Sequence, residues 1–180
     1  AKSIIKNKNC RICSSRNLIK FLSLGKTPLA NAFLIKGELT RPEPTFPLDV
    51  YFCRHCGLVQ LLDIVNPKIL FKDYTYLTSA SKPLVEHFIE LGKEIVKKFL
   101  RSSDDLVVEI GSNDGSLLRG IKGDCRILGV EPDGRIARLA GKRGVRTLPK
   151  FFTPSLAKTI VKKFGTAQVI LANNVIAHIY

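Results

Sequence analysis

Two residue types are missing from this 180-residue chain, which contains no methionine and no tryptophan. The lack of methionine is expected if the initiator has been removed or if the chain is part of a longer product. An apolar run of about 18 residues is also missing, which argues against a membrane-spanning helix. The first residues carry charge but no apolar core, so a secretory signal is not expected. A cytoplasmic protein is the resulting expectation.

Acidic residues are few relative to basic ones. The chain has 15 Asp and Glu against 29 Lys and Arg, a net charge of +14. Such an excess favours acidic partners such as nucleic acid, anionic lipid or a phosphorylated small molecule. However, no block of five like charges occurs, and the basic residues are spread along the chain. Solvated lysines on helix faces are therefore an equally simple interpretation, and no membrane partner is expected.

Cysteine is scarce but patterned. Four of the five cysteines form two Cys-x-x-Cys pairs: Cys10, Cys13, Cys53 and Cys56. Without an export signal, such pairs predict metal binding rather than disulfides. Four thiolates fill the tetrahedral shell of Zn²⁺, so the site is expected to be structural. Reduced core thiols or a redox dithiol are the alternatives. His55 could replace one ligand, and Cys125 is expected to be a small buried residue.

Composition divides the chain into three parts. Residues 1–65 are rich in prolines and turn formers, which predicts a small zinc-binding module. Residues 66–82 form a connector. In residues 83–180, an apolar stripe predicts a helix, and strands then alternate with helices. This alternation predicts a parallel sheet with helices on its faces. The expected fold class is α/β, a small four-cysteine module followed by a Rossmann-like parallel sheet.

A strand–loop–helix segment, EIGSNDG at 109–115, is the second signal. Ligands of open α/β sheets bind beside such a turn, and glycines allow the backbone to approach them. Glu109 and Asp114 would repel a pyrophosphate but suit a ligand with a cationic end, such as S-adenosylmethionine. Glu131 could accept hydrogen bonds from both ribose hydroxyls. The candidate contacts within the loop are Gly111, Asn113, Asp114 and Gly115. A dinucleotide such as NAD is the alternative ligand.

Polar residues also follow the last predicted strand. Asn173 and Asn174 carry amides that could contact adenine, methionine or substrate. His178 could act as an acid, a base or a hydrogen-bond donor. A lone histidine is more often not catalytic, but this one is expected at the mouth of the predicted site.

Together these segments resemble the sugar C-methyltransferases of deoxysugar biosynthesis. The resemblance covers nearly the whole chain and is carried by residues 10–13, 24–33, 46–48, 53–61, 70–76, 109–115, 129–132 and 172–179. The family has an N-terminal zinc-binding domain, a central S-adenosylmethionine-binding domain and a C-terminal α/β domain. The resemblance therefore implies that the parallel sheet is the first half of a Rossmann-like, class I methyltransferase sheet. The resemblance implies that the paired cysteines bind zinc, that the 111–115 loop and Glu131 hold the cofactor, and that Asn173 and Asn174 lie against it.

The resemblance also implies a substrate and a reaction. The family methylates C3 of a nucleotide-linked 4-keto-deoxysugar, after a base removes the proton beside the ketone. Tyr76 and His178 match positions that face the substrate, with Tyr74 as a neighbouring alternative to Tyr76. The family's proposed base, a histidine after a glutamate, lies in a stretch beyond residue 180. We therefore expect a C-terminally truncated member, or one that a second polypeptide completes, which binds zinc but turns over no sugar alone.

Two further functions are compatible with the residues. The chain could be a catalytically inactive zinc-binding fragment, or it could be a nucleic-acid-binding zinc module. The second alternative is disfavoured because the cysteine pairs lack the basic and aromatic clustering that stacking on bases requires.

Overall fold

The computed structural model describes residues 3–71 and 75–178, with the side chain of residue 177 left out. Tyr74 therefore lies outside the described residues. The chain forms two compact units, Ala1–Thr75 and Tyr76–Tyr180. Their boundary falls inside the segment predicted as a connector. Among the described residues, no helix combines the length and the apolar character that crossing a membrane would require.

The first unit is built from short antiparallel sheets. Strand β1 (Ile4–Lys6) pairs with β5 (Asp63–Val65), and β2 (Leu18–Thr27), β3 (Phe46–Cys53) and β4 (Val59–Leu61) form a second sheet in the order β2-β3-β4. Cys53 lies opposite Leu18 in the β2–β3 register. A one-turn helix, α1 (Pro67–Leu70), follows β5, and the Asn66 side chain caps it by accepting from the Lys68 amide. The pairing of β3 with β2 holds the second cysteine pair at the end of β3.

The second unit is an open parallel sheet with helices on both faces. Its elements are α2 (Lys82–Phe99), β6 (Leu106–Ile110), α3 (Ser116–Gly120), β7 (Arg126–Val130), α4 (Gly134–Lys142), β8 (Thr147–Leu148), α5 (Pro154–Phe164) and β9 (Val169–Leu171). The strand order is β8-β7-β6-β9, and each neighbouring pair is parallel. The predicted parallel sheet is confirmed.

Alternating side chains of β6 divide the core of this unit in two. Leu106 and Val108 pack with Leu128, Leu156 and Ile160 on the face that α5 covers. Val107 faces the opposite side, where the buried residues are Leu117, Leu118, Ile121, Ala140 and Val145. Because both faces are buried, β6 is apolar except for Glu109, as expected of a central parallel strand.

Helix α2 covers the second of these faces. Phe88 and Leu91 pack against the cluster around Val107, and Ile95 is buried. A Cβ on Gly92 would lie 2.7 Å from Cγ2 of Ile121, so glycine permits the close approach of α2 to α3. Phe99, the last residue of α2, is 56% exposed.

The strand order creates the binding edge. With β6 first in sequence, the chain runs outward through β7 to β8 and then returns to the other side of β6 as β9. The direction of winding therefore reverses between β6 and β9. In open α/β sheets, ligands bind at the carboxyl ends of the strands at such a point of reversal.

Candidate zinc and cofactor sites

The four paired cysteines meet in the first unit. Their sulfur atoms all lie within 4.8 Å of one another, and the Sγ atoms of Cys10 and Cys56, and of Cys13 and Cys53, are 3.6 Å apart. Four sulfurs about 2.3 Å from a tetrahedral zinc ion would be about 3.8 Å apart, so the cluster fits this metal. Every coordination position is filled by protein, and the centre can therefore only be structural.

Two similar turns present these thiolates. The Ser14 amide donates to the Cys10 carbonyl, and the Gly57 amide donates to the Cys53 carbonyl. Gly57 has φ +77°, a conformation that glycine adopts without steric cost. Backbone hydrogen bonds, chiefly at Cys13, lower the pKa of the Cys10 thiol to about 6. The pKa values of Cys13 and Cys56 are raised instead, because burial and the crowded neighbouring sulfurs outweigh the backbone hydrogen bonds at Ser15 and Leu58. His55 is exposed and outside the cluster, and Cys125 is only half-buried in the other unit.

Glu109 is the buried acid of the second unit. It lies near the carboxyl end of β6, is 4% exposed, and accepts from Nδ2 of Asn173 at 3.5 Å. Its other oxygen, Oε2, has no hydrogen-bond partner among the described residues. Burial, with smaller contributions from Asp114 and Glu131, raises the pKa of Glu109 to about 8. A buried carboxylate with an unpartnered oxygen is costly, and a cationic or N–H donor of a ligand would relieve that cost.

The loop after Glu109 turns on two glycines. Gly111 and Gly115 have φ +65° and +76°, and a Cβ on Gly111 would lie 2.5 Å from Cγ2 of Val175. This contact brings the segment after β9 against the loop after β6. Gly115 is also the N-cap of α3 and lies against Val145. Any side chain at these two positions would strain the turn and push its neighbours away.

Glu131 stands just beyond the carboxyl end of β7. Its Oε2 accepts from the Asn113 amide at 3.1 Å, and its Oε1 accepts from the Asp133 amide at 3.0 Å. Burial raises the pKa of its carboxyl group. Each oxygen retains a lone pair for a further donor. Glu131 thus joins the ends of β6 and β7 and keeps acceptor capacity for a pair of ligand hydroxyls.

Asn113 and Asp114 contact the segment that precedes α2. Asn113 has φ +48°, and its side-chain oxygen accepts from the Thr78 amide at 2.9 Å. Asp114 is fully buried and pairs with Arg143 at 2.8 Å. The prediction assigned its charge to a cationic ligand, whereas the structure shows that Arg143 already neutralises it.

The remaining predicted residues lie at the outer part of the same edge. Asn173 is half-buried beside Glu109, whereas Asn174, with φ +55°, is exposed. His178 is exposed and ends a short 3₁₀ helix, Ile176–His178. Tyr76 is 42% exposed, and its carbonyl accepts from Asn113. The structure thus brings Glu109, Asn113, Asn173 and Glu131 into one connected group and leaves Asn174 and His178 on the surface.

Known proteins match both parts of the chain. Residues 10–71 match a family model described as “Putative zinc binding domain”. Over 171 residues the chain is 34% identical to C-methyltransferase NovU of Streptomyces niveus, an alignment that covers 94% of this chain and 41% of that protein. The chain is thus similar to a zinc-binding domain in its first part and to a C-methyltransferase over most of its length. It spans about two fifths of the length of that relative.

Solved methyltransferases are similar to shorter segments of this chain. A SAM-dependent methyltransferase of Thermotoga maritima is 38% identical, with 36% of this chain and 30% of that chain covered and a TM-score of 0.27. An RNA methyltransferase of Salinibacter ruber, solved with S-adenosyl-L-homocysteine, is 19% identical, with 46% and 65% covered and a TM-score of 0.27. At these TM-scores the alignments define no common fold.

The sequence prediction missed several residues that build the candidate cofactor site. Thr78 and Ser79 contribute backbone donors, Arg143 contributes a cation, and Val175 packs on Gly111. Ser112 is buried with its hydroxyl unpartnered among the described residues. Ser112 was within reach of sequence reasoning, because it lies inside the recognised loop. Arg143 carried no such signal, since it is 29 positions from Asp114 and belongs to another helix end.

Proposed function

We propose that this chain forms the zinc-binding and cofactor-binding parts of a C-methyltransferase that uses S-adenosylmethionine and acts on a nucleotide-linked 4-keto-deoxysugar. The cofactor assignment depends chiefly on one observation. A buried oxygen of Glu109 has no hydrogen-bond partner within the described part of the chain, and it lies at the point where the strand order of the sheet reverses. The substrate class is an extension from the family resemblance. Its support is the 34% identity to a C-methyltransferase over most of the chain.

Different residues at this edge of the sheet would contact different parts of the cofactor. Glu109 and Asn173 would hold the amino acid end, because a carboxylate and an amide together suit an α-amino and α-carboxyl pair. Glu131 would accept from the ribose hydroxyls. Gly111 and Gly115 would let the backbone lie close to the ligand. Asn174 would contact the adenine side from the surface of the same edge.

Bound S-adenosylmethionine would supply an electrophilic methyl group on a sulfonium. The protein must then orient an acceptor carbon towards that group and exclude water. Tyr76 and His178, at the exposed rim of the second unit, are the proposed substrate-facing side chains. A hydroxyl and an imidazole there could donate to the substrate oxygen that gains negative charge when the neighbouring proton leaves.

A structural role is proposed for the zinc centre. The neighbouring ligands Cys10 and Cys56 are 46 positions apart in sequence, and Cys13 and Cys53 are 40 apart. The metal would therefore close a long loop in a unit that has few buried apolar residues. Metal ligation of this kind contributes folding free energy directly. We therefore assign no step of the reaction to zinc.

Calorimetric titration of zinc-loaded protein tests the proposal. S-adenosylmethionine and S-adenosylhomocysteine should bind with micromolar dissociation constants, whereas NAD should not bind, because Glu109 would face its pyrophosphate. Preference for NAD would refute the methyltransferase assignment.

A further inference from the structure

A dense hydrogen-bond network joins the glycine loop to the segment that precedes α2. The Thr78 amide donates to Oδ1 of Asn113 at 2.9 Å, and Nδ2 of Asn113 donates to the Tyr76 carbonyl at 3.0 Å. The Asp114 amide also donates to Oδ1 of Asn113. The asparagine side chain therefore bonds the backbone on both sides of residue 77, and most of its hydrogen-bonding capacity is used there.

A second connection lies beside the first. The Ser79 amide donates to Oδ2 of Asp114 at 3.0 Å, and Ser116 donates its hydroxyl to Oδ1 at 2.6 Å. Arg143, at the C-terminal end of α4, forms the ion pair with Oδ2 and also donates to the Ser79 hydroxyl at 3.1 Å. Burial opposes ionisation of Asp114, but these hydrogen bonds hold its pKa below the ordinary value.

The network also reaches the proposed cofactor acceptor. The Asn113 amide donates to Oε2 of Glu131, the carboxylate that we assign to the ribose. One residue thus bonds Glu131 through its backbone and the Tyr76 segment through its side chain. Displacement of the loop at Asn113 must therefore move or break the bonds that hold Tyr76.

We propose that Asn113, Asp114 and Arg143 are positioning residues that form a latch, through which cofactor binding sets the position of Tyr76. This inference rests on the proposed function and assigns roles different from direct cofactor contact to Asn113 and Asp114. Arg143, at the end of α4, thereby acquires a role in the positioning of Tyr76. Its ion pair is almost completely enclosed on the aspartate side, so loss of the arginine leaves a buried carboxylate without its counter-charge.

The absence of tryptophan from the chain provides a direct probe. Tyr76→Trp gives the chain a single tryptophan, and this substitution preserves the backbone carbonyl that Asn113 binds. Addition of S-adenosylmethionine should change the emission and anisotropy of the introduced tryptophan. Combination with Arg143→Gln should abolish this response while the calorimetric affinity for the cofactor stays within about threefold, and Arg143→Lys should restore part of the response.

Hydrogen exchange of the full chain measures the latch without a cofactor. In Arg143→Gln or Ser79→Ala, the amides of Thr78 and Ser79 should exchange about tenfold faster than in the wild type, as expected for a lost hydrogen bond to a charged group. Arg138→Gln, an exposed arginine on α4, is the matched control and should leave exchange unchanged.

The outcomes separate the two proposals. Unaltered exchange in Arg143→Gln would overturn the latch, as would a fluorescence response that survives in that variant. A parallel collapse of cofactor affinity and response would also overturn it, because Arg143 would then support only the cofactor site. Failure of wild-type protein to bind S-adenosylmethionine would refute the proposed function, and the exchange measurements would still report whether the bonds hold the segment.

Discussion

Protonation of Glu109 should control cofactor affinity. The pKa of this buried carboxyl group is raised to about 8 in the ligand-free protein, so about 1% is ionised at pH 6 and about 9% at pH 7. If the cofactor amino group needs the carboxylate, binding must expel a proton from Glu109. The association constant should then rise about ninefold between pH 6 and pH 7. The direction follows because the binding-competent form is the deprotonated one.

Calorimetry at pH 6.0, 6.5 and 7.0 in buffers of different ionisation enthalpy measures both the slope and the proton released. The range stays below the pKa of an α-amino group, about 7.7–8.0, where the ligand would begin to lose its own charge. Glu109→Gln should remove the slope. Methylthioadenosine, which lacks the amino acid end, should bind the wild type with little dependence on pH. A slope that persists in Glu109→Gln, or that methylthioadenosine also shows, would refute the reasoning.

Three other predictions follow from burial and geometry. Elemental analysis should find one zinc ion per chain. Cys53→Ser should lose this ion and unfold the first unit, whereas Cys125→Ser should retain it. Full zinc content in Cys53→Ser would disprove the four-thiolate centre. Gly111→Ala should lower the free energy of unfolding in urea by at least about 1–2 kcal/mol and weaken cofactor binding, because Gly111 has a positive φ and lies against Val175. Gly141→Ala should raise the free energy of unfolding by up to about 1 kcal/mol, because Gly141 lies in α4 with open space around it. Leu128→Ala, at 1% exposure, should cost about 2–5 kcal/mol in the same assay, against less than about 0.5 kcal/mol for Ile170→Ala at 60% exposure; equal losses would contradict the core described here.

The sequence predicted the parallel sheet of the second unit well because its central strands, β6 and β7, are largely buried. Such strands appear as short apolar runs between helical patterns. The zinc cluster was equally accessible, since Cys-x-x-Cys spacing constrains each pair locally. Both signals depend on neighbours in sequence.

The long strands of the first unit were not recognised, for a physical reason. Strand β2 is mostly exposed and carries two register irregularities, so its residues show no regular alternation of apolar and polar side chains. Its stability comes from backbone pairing with β3, which starts 28 residues later than β2. Pairing of this kind is a tertiary property. The same holds for the Asp114–Arg143 ion pair, whose partners meet only when the loop and α4 are in place.

The arrangement of sulfurs has a consequence for oxidative stress. The Sγ atoms of Cys10 and Cys56, and those of Cys13 and Cys53, are 3.6 Å apart, and each of these contacts joins one Cys-x-x-Cys pair to the other. An oxidant that expelled the metal would therefore be able to link the two ends of the long loop covalently. The topological connection would then outlast the ion that first made it. Peptide mapping under non-reducing conditions should recover disulfides between the two Cys-x-x-Cys pairs, and their absence would contradict this consequence.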